Sequence, residues 1–138
     1  MISSGICWSA KLDWLNGVHN VTDTYKIALY ALSATLSPSQ TSAYDSTGEV
    51  SLPGYTAGGL ALSGAQTSLD GSVGIMTFSN PTWNNVTMVA GGALIYNSSK
   101  SNKSLLVIDF GSNQYSTNGK FTIQFPTFDG SNAIIRMV

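Results

Sequence analysis

At 138 residues the chain has the length of one domain, with enough material to bury a real core, and its 43% apolar content argues against disorder. Charged residues make up only 9%, against about 25% in ordinary soluble proteins, and the net charge is −1. Six basic residues spread from Lys11 to Arg136 argue against a nucleic-acid partner, the lone Cys7 rules out an intrachain disulfide, and no run reaches the ~18 apolar residues of a membrane helix.

Trp8, Leu12 and Leu15 fall at i, i+4 and i+7, with Lys11, Asp13 and Asn16 elsewhere around the wheel. Ser4 is placed to cap such a helix and Gly17 to end it, which predicts a helix over residues 5–16. A helix this short is marginal alone, so its apolar stripe must dock. The chain's own sheet is the first partner to expect, and a neighbouring subunit the second. Met1 to Trp8 lacks the basic start and apolar run of a signal peptide, so folding in a cytoplasm is expected.

From Thr24 the period changes to two. Tyr25, Ile27 and Leu29 alternate with Lys26 and Ala28, as in a half-buried strand. Residues 33–47 are polar and hold Pro38, which predicts a surface loop that binds something or is ordered by a partner. Further strands are predicted over 59–63, 72–78, 86–96, 104–110, 120–125 and 132–138. Turn chemistry separates them at Pro53-Gly54, Asp70-Gly71, Asn80-Pro81, Asn118-Gly119 and Asp129-Gly130. Leu105 to Ile108 is apolar on both faces, as for a strand covered twice, and Gly91-Gly92 predicts a bulge in the longest strand. Seven or eight short strands at this spacing predict an all-β, single-domain sandwich or jelly-roll-like fold with a short N-terminal helix.

Catalytic constellations are hard to assemble from these residues. His19 is the only histidine and has no companion ligands for zinc. No serine sits in a G-x-S-x-G elbow, and the seven acids are dispersed. Asp109, at the end of an apolar strand, is read as a strand-end hydrogen-bonding group. Glycine-rich Thr56 to Gly59 lacks the lysine of a phosphate loop. The expectation is a non-enzymatic protein without cofactor or metal. Four Asn-x-Ser/Thr sequons match by chance in a chain where Ser, Thr and Asn make up roughly three residues in ten.

Trp8, Trp14 and Trp83 are candidates for an interface, because tryptophan is enriched at binding hot spots as well as in cores. Trp8 and Trp14 cannot share one helix face, so one of them points outward. Tyr55 joins them as an aromatic candidate. Lys100 and Lys103 sit on the Ser98–Lys103 tip, read as a solvated hairpin.

Thr24 to Leu36 (TYKIALYALSATL), Gly48 to Gly64 (GEVSLPGYTAGGLALSG), Ala93 to Gly111 (ALIYNSSKSNKSLLVIDFG), Gly119 to Pro126 (GKFTIQFP) and Ala133 to Met137 (AIIRM) occur in this order along the chain. Together with the opening from Cys7 to Asn20, they resemble a family of small virion proteins of tailed phages. The resemblance implies a structural component of the particle: a decoration or cement protein on the outer surface of the capsid, bound to the major capsid protein and self-associated, with a trimer favoured. A neck or tail position is the alternative. A carbohydrate-binding or host-recognition module, with Trp83 and tyrosines stacking on sugars, is a second class, and a cell-wall hydrolase a third. No nucleic acid or membrane partner is implied.

Overall fold

The computed structural model describes residues 1–138. The elements are β1 (Gly5–Ile6), α1 (Trp8–Leu15), β2 (Tyr25–Tyr30), β3 (Leu60–Ala61), β4 (Gln66–Asp70), β5 (Val73–Thr77), β6 (Thr82–Asn97), β7 (Lys103–Thr122) and β8 (Ile135–Met137). They form two antiparallel sheets, of order β1-β7-β6-β2-β3 and β4-β5-β8, as a sandwich-like all-β fold.

The larger sheet is covered on both faces, and the alternation along β2 shows how. Tyr25, Ile27 and Leu29 enter a core shared with Met76, Phe78, Ile123, Phe125 and Ile135 from the smaller sheet and its flanks. Ala28 and Tyr30 point the other way, into a second cluster with Leu94, Tyr96 and Val107. That second face is roofed by Ile2, Cys7 and Ala10 from the N-terminal segment and by Ala34 and Leu36 from the polar loop. This double cover is why Leu105 to Val107 is apolar without alternation.

Several expectations are corrected. The helix starts at Trp8 rather than residue 5, because Gly5 and Ile6 pair with Val107 and Leu106 as an edge strand. Cys7 takes the N-cap position with no side-chain bond, and the Ser4 hydroxyl instead accepts the Asp109 amide at 2.7 Å. Segments 104–110 and 120–125 belong mainly to one strand, β7, that runs through the Asn118-Gly119 turn signal. Asn118 there adopts φ 46°, and the irregularity is absorbed as a register shift against β6 between Val86 and Met88. The break at Gly91-Gly92 is a register shift between Ala90 and Gly92. Strand β4 has no apolar alternation to announce it; its ladder to β5 closes through Gly71 at φ 60°.

Candidate functional site

Three constellations and one surface stand out. The first centres on Glu49, at the end of the polar loop. Its Oε1 accepts the Tyr44 hydroxyl at 2.6 Å, and its Oε2 accepts the Tyr55 hydroxyl at 2.5 Å and the Gly58 amide at 2.8 Å. The Tyr55 oxygen in turn accepts the Leu29 amide at 2.9 Å, and the Tyr96 hydroxyl donates to the Gly58 carbonyl at 2.6 Å. Tyr44 lies stacked on Tyr96, ring centres 4.7 Å apart. Burial, with the neighbouring Glu49 charge, pushes the Tyr96 phenol up to about 12, and it raises Tyr30, Tyr44 and Tyr55 as well. The phenols therefore remain donors, and Glu49 is spent on holding segment 44–59 against β2. Gly59 is needed for that approach: a Cβ there would meet the Ile27 carbonyl oxygen at 1.8 Å.

The second constellation surrounds His19, whose side chain is fully buried between α1 and the β6–β7 tip. The Asn97 carboxamide oxygen accepts the Ser99 amide, which makes its nitrogen the donor, to His19 Nδ1 at 3.0 Å and to Asp23 Oδ2 at 2.8 Å. His19 Nδ1 is thus the acceptor, and the proton sits on Nε2, 3.8 Å from Asp13 Oδ2. Burial lowers the His19 pKa against the pull of Asp13 and Asp23. For Asp23, burial opposes the charge, but the bonds from Asn97, Lys100 and the Asn20 amide prevail and lower it. The ring nitrogens of His19 face Asn97 and Asp13, not a serine, so no base–nucleophile pair forms here. Cys7 is buried beside Ser104, and burial pushes its thiol up, away from the nucleophilic thiolate.

The Ser98–Lys103 tip is consequently not a merely solvated hairpin. Lys100 Nζ bonds Asp23 at 3.0 Å and the Val18 carbonyl at 3.0 Å, and Lys103 lies 3.8 Å from Asp13. Lys100 thus fastens the loop between α1 and β2 to the tip, and Lys103 faces Asp13 on α1 as a charge pair without a hydrogen bond.

The third constellation is a cleft of about 600 Å³ in the polar loop, between residues 33–36 and 40–48. No group of three or more His, Cys, Asp or Glu side chains comes together as a metal site, and no helix is long and apolar enough to cross a membrane.

The surface is the outer face of α1. Trp8 is 63% exposed, Leu12 60% and Leu15 85%, so the predicted apolar stripe does not dock on the chain's own sheet. The buried side of the helix is Ala10, with Trp14 half-buried beside it. Next to the stripe, Ile6, Trp14, Leu15, Met137 and Val138, with Lys11 and Arg136, line a mostly apolar groove that continues past Trp14 toward Ile75 and Ile135. Trp83, by contrast, is 3% exposed and packs on Phe121 in the core, so it offers no ring to a partner. Tyr55 is spent in the Glu49 network. The exposed stripe was legible as a helix period; the Glu49 cluster carried no sequence signal, because its members share no motif.

No protein-family model matches the chain, and no curated protein or solved structure is found to be similar to it.

Proposed function

We propose that the protein is a non-enzymatic structural protein of a tailed-phage particle, a decoration or cement protein held in several copies on the outside of the shell. The observation that carries the assembly half of this reading is the outward apolar face of α1. Trp8, Leu12 and Leu15 leave on the order of 400 Å² of apolar surface in water, a size that often marks an interaction site. Burying each of these side chains against a neighbour gains about 1.5–3 kcal/mol. The mostly apolar groove lined by Ile6, Trp14 and Met137 extends the same patch, with Lys11 and Arg136 as its charged members. With 9% charged residues, close approach of copies or of a capsid subunit meets little repulsion and desolvates few charges.

The particle half of the reading is supported by the ordered resemblance of five segments, from Thr24 to Met137, to the phage family. The non-enzymatic half is supported by the occupation of the ionisable groups: Glu49, Asp23 and His19 are all engaged in bonds that fasten loops to the sheet. The test is imaging of purified particles together with sedimentation of the free protein. Stoichiometric density on the shell and an oligomer in solution are expected, with the major capsid protein as the contact. Density at the neck or tail would move the location, and a strict monomer absent from particles would overturn the assignment.

A further inference from the structure

We infer that the cleft between residues 33–36 and 40–48 is a binding site for a neutral, hydroxyl-rich ligand of the saccharide class, with Tyr44 as its ring platform. This goes beyond the structural role proposed above and does not depend on it.

The cleft is preformed, although its sequence is polar and poor in apolar anchors. One wall is tied to the N-terminus, by the Leu36 amide on the Met1 carbonyl and the Ser3 amide on the Leu36 carbonyl. The other is tied to β7 and the tip before it: the Tyr44 amide bonds the Asn102 carbonyl at 2.9 Å, and the Ser104 hydroxyl bonds the Thr41 carbonyl at 2.7 Å. At the junction, Gly48 passes so close to Ala34 that a Cβ would stand 2.8 Å from the Ala34 Cβ. A ligand entering this space pays little to order it. The volume of about 600 Å³ lies within the range of small-molecule sites.

The lining selects the ligand class. No lysine or arginine lines the cleft, which disfavours phosphate or other anions. Asp45 is its one charged side chain, and one carboxylate oxygen already accepts the Thr47 amide at 2.7 Å. A hard cation wants six or more oxygens, so calcium is poorly served. What remains is exposed hydroxyl and amide: Ser33, Thr35, Gln40 and Ser42, able both to donate and to accept. Sugar hydroxyls have the same dual character. Tyr44 supplies the apolar element that a pyranose ring needs, and it is held rigid by its stack on Tyr96 and its bond to Glu49.

Amide-resolved NMR of the full chain tests this, with trisaccharides based on glucose, galactose, mannose and N-acetylglucosamine as probes and sodium phosphate and calcium chloride as comparators. At least one saccharide is expected to shift resonances confined to residues 33–48, with a Kd of about 1 mM. Gln40→Ala, at an exposed position, should weaken that binding at least fivefold. Tyr44→Phe keeps the ring and its stack on Tyr96 but loses the Glu49 bond, so it should weaken binding less than Tyr44→Ala, which should abolish it. The inference is overturned if no trisaccharide shifts these resonances at about 20 mM. It is equally overturned if Gln40→Ala binds like the parent, or if phosphate or calcium produces the shifts instead.

Discussion

The Tyr55 hydroxyl joins the Glu49 carboxylate to the Leu29 amide, donating to one at 2.5 Å and accepting from the other at 2.9 Å. One side chain thereby couples the end of the polar loop to the middle of the most buried strand. Glu49→Ala leaves three donors without their acceptor, each bond to a charged group being worth about 1.5–3 kcal/mol. A loss of at least about 3 kcal/mol in urea unfolding is expected, with Glu49→Gln intermediate because its single carbonyl oxygen keeps part of the set. Equal stability of parent and Glu49→Ala would show that the loop is held by other means.

The buried His19 makes stability fall with acid. Its folded pKa is lowered, so the unfolded chain takes up the proton first. Its contribution is whole above the unfolded value near 6.5 and declines as pH falls below it toward the folded value. The lowered Asp23 pKa adds a second loss, below about pH 4, as its carboxylate protonates. Thermal unfolding between pH 7 and 5 should show a decline in the parent that is flattened in His19→Gln. A parent curve as flat as the variant's would contradict the assigned buried, neutral imidazole.

Two glycines with positive φ separate crowding from backbone conformation. Gly71 (φ 60°) has open space where a Cβ would go, so Gly71→Ala costs only the left-handed backbone, about 1 kcal/mol. Gly59 (φ 80°) lies against the Ile27 carbonyl, and Gly59→Ala must push β2 and the loop apart. Its cost should exceed that of Gly71→Ala by at least about 2 kcal/mol in denaturant unfolding. Similar values would mean that the approach to Ile27 relaxes freely.

On α1, exposure predicts a split between stability and assembly. The double variant Leu12→Ser/Leu15→Ser should change unfolding free energy by no more than about 0.5 kcal/mol per site. It should also shift the protein toward monomer in sedimentation. Loss of fold without change of assembly would place these residues in the core after all.

Period and turn residues were enough to read the sandwich: the apolar spacing of Tyr25, Ile27 and Leu29 marks β2, and Asp70-Gly71 closes the β4–β5 hairpin locally, although β2 is buried on both faces rather than half-buried. Where partners outweigh local chemistry, the reading failed. Asn118-Gly119 is a good turn, yet β6 offers a continuous ladder beside it, and the signal becomes a bulge. The stripe Trp8, Leu12, Leu15 announces a helix, but which side faces the protein depends on Ala10 and Trp14 fitting over the second core. The network of Tyr44, Glu49, Tyr55 and Tyr96 arises only when the loop folds back on β2 and β6, so no spacing along the chain encodes it. The Lys100 and Lys103 tip had the composition of a solvated turn and found two aspartates, Asp13 on α1 and Asp23 just before β2.

The pairing of Gly5 and Ile6 with Val107 and Leu106 has a consequence for how the chain is made. The first strand leaves the ribosome about a hundred residues before its partner. The long β6–β7 hairpin, closed by a short tip, costs little loop entropy and can form as soon as it emerges. Strand β1 and the helix behind it must wait. Until β7 has been made, Trp8, Leu12 and Leu15 therefore sit on an undocked segment, where their apolar side chains are open to a nascent-chain chaperone.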